Sequence, residues 1–206
     1  MLDKHGFDLW ADGYDQAVGL SDESNTYPFA GYKKVLGRIF QDVLAAGPCR
    51  VLDIGFGTAT LTARLYDMGC QVWGLDFSPK MREAAQAKMP GAHLFLGDMA
   101  AGLPSELLGQ TYDCILSTYA VHHLPDREKA GFLAGLLPLL APGGQLLVGD
   151  VAFGTRGQLE ACRARSGDDW DGEEFYLVYE ELREHFPQMQ FEAVSHCAGI
   201  VRLTAG

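Results

Sequence analysis

The stretch VLDIGFGTAT, residues 51–60, joins an apolar run to two glycines in a G-x-G arrangement. A strand that leads into a glycine turn and then a helix places backbone N–H groups around a ligand at the carboxyl edge of a parallel sheet. The stretch departs from the G-x-G-x-x-G dinucleotide fingerprint in two ways. Thr60 stands where the third glycine would be, and the acid Asp53 precedes Gly55 by two residues. The stretch therefore indicates an adenosine-containing ligand that tolerates a nearby carboxylate.

The sequence on both sides of this stretch alternates short apolar runs with helical patterns. Strands are predicted at 49–54, 70–76, 93–98, 111–120 and 145–150, helices at 59–69, 78–89, near 104–108 and at 126–140, and a turn at the APGG of 141–144. An earlier helix follows Pro28, which suits a first helical turn, and it ends at Gly47–Pro48. Residues 151–175 are polar and irregular, residues 179–186 are helical, and residues 191–205 form two strands around a tight turn near Ala198–Gly199.

This alternation predicts an α/β fold. Apolar strands separated by helices form a Rossmann-like, doubly wound sheet of seven strands that is mostly parallel, with helices on both faces. The last two strands lie too close in sequence for a crossover helix, so the C-terminal strand pair is antiparallel. The sequence shows no internal repeat and no second core, so we expect residues 1–206 to form a single domain.

Composition narrows the class of protein. The 206 residues are 48% hydrophobic, which is enough for one core, and they carry a formal net charge of −11. Such an acidic surface repels phosphate backbones, so nucleic acid is disfavoured as a partner. There is no long apolar run and no apolar centre near the N-terminus, so we expect a cytoplasmic protein without a membrane partner. The five cysteines form no C-x-x-C pair, which fits a reducing compartment better than a disulfide framework or a zinc site.

A second acid indicates how the ligand's ribose is bound. Asp76 lies 23 residues after Asp53, at the end of the second predicted strand, where a carboxylate accepts hydrogen bonds from both ribose hydroxyls. A dinucleotide would bring a pyrophosphate with roughly two negative charges close to Asp53, which opposes binding. S-adenosylmethionine has no phosphate, and its sulfonium and ammonium groups are positive. The residues thus favour this cofactor over a nicotinamide one, and an oxidoreductase is the weaker alternative.

The motifs around these acids resemble those of class I S-adenosylmethionine-dependent methyltransferases. VLDIGFGTA is similar to their first motif, VWGLDFSPKM to the second, FLGDM to the third, YDCILSTYAVHHLPD to the segment that follows, and LAPGGQLLVGD to the entry of the fifth strand. All five occur in the expected order over residues 49–150. Outside this core, WADGYDQAV, STYAVHHL and DDWDGEEFYLVYEELREHF resemble the small uncharacterised bacterial methyltransferases of the YrrT type. The resemblance implies methyl transfer but names no acceptor.

The resemblance also implies which residues contact the cofactor. They are Asp53, Gly55, Gly57, Thr58, Asp76, Phe77, Met81, Asp98, Met99, Ser117 and Tyr119. The two glycines and the backbone of 117–119 meet the methionyl part, Asp53 faces its ammonium, and Asp76 binds the ribose. Phe77 and Met81 enclose the adenine ring, while Asp98 and the Met99 amide meet its amino group. Plainer interpretations stay open, since Asp53 and Asp98 also suit turns and Met81 also suits a helix core.

The adjacent histidines of AVHHLPD raise the question of a catalytic base or a metal. Two neighbouring histidines do not face one ion from regular structure, and no acid–histidine helical spacing accompanies them, so no metal is expected. In relatives with different acceptors the second histidine recurs, which implies that His123 packs and hydrogen-bonds at the end of the fourth strand. His122 points elsewhere and is a candidate base or orienting group on the acceptor side. Tyr14 is a second candidate, although methyl transfer needs a base only for a hydroxyl or amine acceptor.

Two segments are expected to cover the site. The N-terminal residues Trp10, Tyr14 and Tyr27 form a candidate lid within residues 1–47, and residues 152–176 close from the other side. Residues 48–150 then form the cofactor-binding core, and residues 151–206 form an acceptor-side insertion with the terminal strand hairpin. The expected partner is a small-molecule methyl acceptor, bound by a monomer or homodimer. A module that binds the cofactor without turnover remains the alternative from another class.

Overall fold

Helices and strands alternate from Tyr32 to Thr204 in a computed structural model that describes residues 25–45, 47 and 49–205. The strands are β1 Arg50–Ile54, β2 Gln71–Asp76, β3 His93–Leu96, β4 Tyr112–Thr118, β5 Leu140–Phe153, β6 Leu177–Val178, β7 Gln190–Ala193 and β8 Ala198–Thr204. The α-helices are α1 Tyr32–Ala45, α2 Thr62–Asp67, α3 Pro79–Lys88, α4 Ser105–Leu108, α5 Asp126–Leu136, α6 Arg156–Ser166 and α7 Tyr179–His185. Short 3-10 turns occupy Met99–Ala101, Val121–His123, Leu137–Leu139 and Gly167–Asp169.

The strands form one mixed sheet in the order β3-β2-β1-β4-β5-β8-β7, and β6 pairs with the end of β5. Strands β1 to β5 pair in parallel, whereas β8 is antiparallel to both β5 and β7. The chain leaves β1 in one direction to build β2 and β3, and later returns beside β1 to build β4 and β5. This reversal of strand order opens a crevice at the carboxyl ends of β1 and β4. The predicted fold class is confirmed, with β6 as one more short strand.

The core has two layers, one on each face of the sheet. Helix α1 buries Val35 and Ile39 on one face, and α5 buries Leu133 and Leu136 on the other. Helix α1 approaches β5 closely at Gly149, where a Cβ atom would lie 2.4 Å from Val35 Cγ1. Within the described residues, none of the helices combines the length and the apolar character needed to cross a bilayer.

Several predicted boundaries in the second half of the chain are wrong. Residues 156–166 form helix α6 instead of irregular structure, because Thr155 and Gln158 close a capping box and Leu159 and Cys162 face the core. The hairpin turn lies at 194–197 and not at Ala198–Gly199, which already belongs to β8. The ring of Phe191 covers Gly199, and a Cβ atom at this position would lie only 2.4 Å from Phe191 Cε2. A larger residue therefore does not fit.

Three earlier boundaries also differ from the prediction. The Tyr27–Pro28 peptide is cis, and α1 begins at Tyr32, so Pro28 does not form the first helical turn. Helix α2 starts only at Thr62, since the residues before it form the turn that follows β1. The predicted APGG turn lies inside β5, where the pairing with β4 shifts register between Tyr112 and Cys114.

Candidate cofactor and acceptor site

A cavity of about 730 Å³, including its open mouth, lies at the crevice predicted by the strand order. Residues from the ends of β1, β2 and β4 form most of its wall, and α1 covers one side. The lining residues are Tyr32, Leu36, Asp53, Gly55, Phe56, Gly57, Thr58, Thr60, Leu61, Thr62, Asp76, Phe77, Met81, Met99, Thr118, Tyr119, Ala120 and His123. Most of the residues predicted to contact the cofactor are therefore brought together in one place.

The glycine turn after β1 is shaped by close approach and by left-handed backbone. Gly55 has φ +74°, and a Cβ atom there would lie 2.4 Å from the Cβ atom of Ala120. Gly57 has φ +52° with open space around it, and its N–H donates to Asp76 Oδ2 at 2.9 Å. Only glycine adopts both conformations at little cost, which leaves the backbone of the turn bare toward the cavity.

Asp53 is a buried acid with one oxygen left over. Its side chain is 1% exposed, and Oδ2 accepts a short hydrogen bond from the Thr62 hydroxyl. Oδ1 has no hydrogen-bond partner among the described residues. Burial raises the pKa of Asp53 to about 7, the hydrogen bond from Thr62 lowers it, and the charge of Asp76 raises it further. A positive group in the cavity would satisfy the free oxygen and favour the charged carboxylate.

Asp76 ties the glycine turn to the start of α3. Its Oδ1 accepts from the Ser78 N–H and its Oδ2 from the Gly57 N–H, each at 2.9 Å. The side chain is nearly buried but lines the cavity. A carboxylate has about four acceptor positions, so both oxygens can still accept from ligand hydroxyls. Asp76 thus holds the glycine turn and keeps acceptor positions on the cavity side.

The predicted adenine contacts divide into two groups. Phe77, Met81 and Met99 lie on the cavity wall. Asp98 is exposed and outside the lining, where Oδ1 accepts from the Ala100 N–H at 2.9 Å and caps a 3-10 turn. The side chain of Ser117 also lies outside the lining, since it is fully buried and donates to the Ile54 carbonyl at 2.8 Å, joining β4 to β1.

Sequence reasoning missed the wall that α1 provides. Tyr32 and Leu36 line the cavity from this helix, one turn apart, and Tyr32 contacts the ring of Tyr119 at 4.9 Å between centroids. Thr118 and His123 are also on the wall. The amphipathic pattern of α1 placed Tyr32 and Leu36 on its apolar face, but pattern alone does not separate core from ligand contacts.

The two histidines take places opposite to those expected. His123 is partly exposed on the cavity wall, while His122 is buried with Nδ1 2.6 Å from Asp150 Oδ1 and its backbone N–H on Asp150 Oδ2. They belong to a 3-10 turn, in which successive side chains point about 120° apart, so only one faces the cavity. The other, His122, is held by Asp150 in the last part of β5.

The electrostatics of the two rings differ as their surroundings do. Burial alone lowers the pKa of His122, but the charges of Asp150 and Glu174 outweigh it and place the pKa above the ordinary value. Burial, together with the neighbouring His122, lowers the pKa of His123 to about 3. His123 is therefore neutral near pH 7 and able to accept or coordinate through its ring.

The segment after α6 covers the histidines. The Phe175 N–H donates to the His122 carbonyl at 2.8 Å, and Glu174 Oε1 lies 3.5 Å from His122 Nε2. The Tyr176 hydroxyl donates to Glu174 Oε2 at 2.8 Å. One ligand atom from each of His122, His123 and Glu174 lies within 4.8 Å of the others. Ligand atoms of the two adjacent histidines are thus near each other and near Glu174.

The candidate lid is partly described. Tyr27 stacks on Trp170 with 5.0 Å between ring centroids, accepts from the Asp171 N–H at 3.1 Å and makes a short hydroxyl–hydroxyl bond with Tyr176. Burial raises its pKa to about 12. Tyr27 thus contacts the acceptor-side segment and is outside the lining of the cavity. Trp10 and Tyr14 lie outside the described residues.

Fold and cavity together define a class of protein. The strand order, the glycine turn with its two acids and the antiparallel last strand are those of a class I S-adenosylmethionine-dependent methyltransferase. The sequence matches the family described as "Methyltransferase domain" over residues 51–144. The magnesium protoporphyrin IX methyltransferase of Synechocystis PCC 6803, solved with bound SAH, has the same fold with a TM-score of 0.67, 18% identity and coverage of 86% of this chain and 85% of that chain. For the N-methyltransferase NodS of Bradyrhizobium japonicum WM9, the TM-score is 0.64 at 14% identity, over 85% and 88% of the two chains.

Curated relatives identify the family more narrowly. An uncharacterized methyltransferase of Geobacillus kaustophilus (strain HTA426) is 36% identical over 194 residues, which cover 91% of this chain and 87% of that protein. One from Oceanobacillus iheyensis is 31% identical over 193 residues, 90% and 87% of the two chains. The chain belongs to this family of bacterial methyltransferases.

Proposed function

We propose that the protein transfers the methyl group of S-adenosylmethionine to a small-molecule acceptor. The observation that carries this proposal is the buried Asp53, which belongs to the wall of the cavity at the glycine turn and whose Oδ1 lacks a partner among the described residues. A ligand with a phosphate at this place would meet an acid, whereas an ammonium group would pair with it. The adjacent Asp76 suits a ribose diol, so the two acids fit opposite ends of one cofactor.

The cavity wall supports a definite placement of the cofactor. The methionyl end would lie against Gly55, Gly57 and the backbone at Tyr119, where Asp53 is within the lining. The ribose would lie on Asp76, beside Thr58. The adenine would lie between the side chains of Phe77, Met81 and Met99, which are apolar on the faces they offer. We also keep the predicted contacts of Asp98 with the adenine amino group and of the Ser117 backbone with the methionyl part. The Asp98 side chain already caps a 3-10 turn, and the Ser117 side chain already joins β4 to β1.

The acceptor side is the region between the cavity and residues 170–176. When bound, S-adenosylmethionine supplies a methyl group on a positive sulfur, which a nucleophile attacks in line with the C–S bond. The chain's part is to hold the nucleophile about 3 Å from that carbon and to exclude water. His123 reaches the cavity wall, and His122 stands behind it with its Nδ1 fixed by Asp150. We infer that these two rings orient the acceptor, and Tyr14 remains a candidate for the same task.

Charge supports a small acceptor. The formal net charge of −11 opposes the binding of nucleic acid, and the carboxylates of Asp150 and Glu174 stand beside His122 on the acceptor side. A compact, uncharged or cationic molecule would bind there without a large electrostatic penalty.

A binding experiment and a turnover experiment test the proposal. Calorimetry with S-adenosylhomocysteine is expected to show one site per chain, and NADH is expected to show none. A screen of small thiols, amines, acids and phenols, read by S-adenosylhomocysteine formation, is expected to find an acceptor. Binding without turnover across the whole screen would instead favour a non-catalytic module, and binding of NADH alone would favour an oxidoreductase.

A further inference from the structure

We propose that the chain binds a divalent transition-metal ion, with His122 Nε2, His123 and Glu174 as ligands, at the acceptor side of the site. The three ligand atoms lie within 4.8 Å of one another, which is the geometry that suggests the site. The existence of the site does not depend on the proposed function. Only its part in methyl transfer rests on that function.

The spacing of the ligands is close to what a tetrahedral ion needs. Zinc binds imidazole nitrogen and carboxylate oxygen at about 2.0–2.2 Å, which places neighbouring tetrahedral ligands about 3.4 Å apart. His122 Nε2 and Glu174 Oε1 are 3.5 Å apart, so this pair already has that separation. The His123 ring is partly exposed and packs edge-on against His122 with 4.2 Å between centroids, and one of its ring nitrogens lies within 4.8 Å of the other two ligand atoms.

Hydrogen bonds orient two of the three ligands, His122 and Glu174, so that Nε2 of the first and Oε1 of the second face each other. Asp150 accepts from His122 Nδ1, and the Val151 N–H fixes the same carboxylate oxygen at 2.7 Å, so Nε2 is the ring atom that faces Glu174. A carboxylate behind a metal-binding histidine orients the ring and raises its basicity. The Tyr176 hydroxyl donates to Glu174 Oε2 and leaves Oε1 toward the histidines.

The backbone ties the ligands into one unit. His122 and His123 follow each other in a 3-10 turn, and the Phe175 N–H donates to the His122 carbonyl, which places Glu174 beside the rings. Although Glu174 is distant in sequence, its position is thus set by a hydrogen bond to the same turn. The backbone thus holds all three residues at one place in the fold.

The charges at the site match a divalent ion. The carboxylates of Asp150 and Glu174 flank the His122 ring, one at each nitrogen, and the first is fully buried. Lys129 is nearby, but its ammonium pairs with Asp126 at 2.8 Å and donates to the Leu124 carbonyl. A divalent cation bound at Nε2 would therefore have both carboxylates close to its charge.

The ligand set favours zinc or a similar borderline ion and leaves a position open. Two imidazoles and one carboxylate suit zinc, cobalt or nickel more than magnesium or calcium, which prefer oxygen. Three protein ligands leave a fourth position for a substrate. Since His123 also lines the cavity, that position would adjoin the proposed cofactor site.

An acceptor with a thiol would use the open position best. A thiol that binds such an ion loses its proton to solvent and becomes a thiolate. Its sulfur then forms the new S–CH3 bond while the C–S bond of the sulfonium breaks, and that electron pair stays on the sulfur of S-adenosylhomocysteine. No further oxidant or base is required.

Cobalt(II) titration of the full chain, prepared free of metal, tests the site directly. We expect visible ligand-field bands that saturate at one ion per chain and are displaced by zinc. Glu174→Gln and His122→Asn are each expected to weaken binding at least tenfold, and Asp150→Asn by roughly 10- to 100-fold as a residue behind a ligand. The exposed His196, in the hairpin between β7 and β8, is not one of the three clustered residues and supplies the matched control His196→Ala, which should bind as the parent does.

Several results would overturn the proposal. The first is a lack of saturable cobalt binding in the parent protein. The second is a folded Glu174→Gln variant that binds cobalt as tightly as the parent does. The third is a thiolate charge-transfer band, which would assign the ion to Cys49 and Cys70, whose sulfurs are 3.8 Å apart. Glu174 is only partly buried, so its substitution keeps the test decisive if His122→Asn fails to fold. S-adenosylhomocysteine binding measured on the same samples separates a failed metal site from a failed methyltransferase proposal.

Discussion

At the scale of single residues, two buried acids carry most of the argument for the cofactor. Asp53 is paired on one oxygen only, and Asp76 is paired on both by backbone N–H groups. We therefore expect the first to respond to what enters the cavity, whereas the second also shapes the turn that surrounds it. Substitutions at the two sites are expected to differ in kind.

Asp53→Asn is expected to raise the stability of the ligand-free protein more at pH 8 than at pH 4. The folded-state pKa of about 7 lies above the ordinary aspartate value of 3.8, so the native state binds the proton more tightly than the unfolded chain. Stability from this group is present at low pH and is lost as pH rises from about 4 through 7. Asparagine carries no charge to bury, so the rise in the thermal unfolding midpoint should be larger at pH 8 than at pH 4. The exposed control Asp67→Asn should shift neither midpoint, and an equal shift of Asp53→Asn at both pH values would contradict the account.

Asp76→Ala is expected to weaken S-adenosylhomocysteine binding by roughly 2–3 kcal/mol, because two hydrogen bonds from the ribose to a charged acceptor are lost. The variant should also unfold at a lower temperature, since the N–H groups of Gly57 and Ser78 lose their acceptor. Calorimetry on the folded variant measures the first effect. An affinity within twofold of the parent would mean that the ribose binds elsewhere.

The sequence predicted these acids but not the division between the histidines. Asp53 and Asp76 follow strands, and their place in a parallel sheet is set by local pattern. The orientation of the His122 side chain depends on Asp150, which is 28 residues away in sequence and is brought close only by the sheet. The local pattern of two adjacent histidines does not predict such a partner.

At the scale of elements, the packing of α1 onto β5 is the contact that closes the cavity from one side. Gly149→Ala is expected to destabilise the protein by about 1–3 kcal/mol, because its methyl group would meet Val35 and Ile39 at 2.4 and 2.8 Å. Gly135 in α5 has nothing within 4 Å of its would-be Cβ atom, so Gly135→Ala should be neutral or stabilising. Urea unfolding of both variants measures the difference. Equal stability of the two would show that α1 is not packed as described.

The lid proposal also belongs to this scale. Tyr27 is joined to Trp170 and Tyr176, so the N-terminal segment and residues 170–176 are expected to respond to ligand together. Hydrogen exchange should slow in residues 8–27 and in residues 170–176 when S-adenosylhomocysteine binds, and Tyr14→Phe should lower turnover or affinity without lowering thermal stability. Unchanged hydrogen exchange in both segments, together with normal turnover of Tyr14→Phe, would contradict the lid proposal and would indicate a purely structural role for these aromatic residues.

Elements were predicted well where apolar periodicity is strong and poorly where helices are polar. Strands β1 to β4 and helices α1, α3 and α5 follow from their patterns. Helix α6 was missed because only Leu159 and Cys162 bury an apolar face, so its start depends on the capping box at Thr155. The hairpin turn was misplaced because Gly199 suggests a turn, although its small size serves the ring of Phe191.

At the scale of the whole molecule, the fold sets where chemistry is possible. The reversal of strand order beside β1 opens the crevice, and the glycine turn leaves bare backbone there. Helix α1 lines the crevice, and the segment 170–176 packs on the histidine turn beside it. The family's own members are methyltransferases. The central claim is therefore that one cofactor molecule binds in this crevice through both acids.

Calorimetric titration of the full chain with S-adenosylhomocysteine tests that claim most directly. We expect one site per chain in the parent protein, weaker binding in Asp76→Ala, and a thermal shift that follows the affinity. The matched exposed variant Asp67→Asn should bind as the parent does. The absence of both heat and thermal shift at millimolar ligand, in protein shown to be folded, would contradict the account.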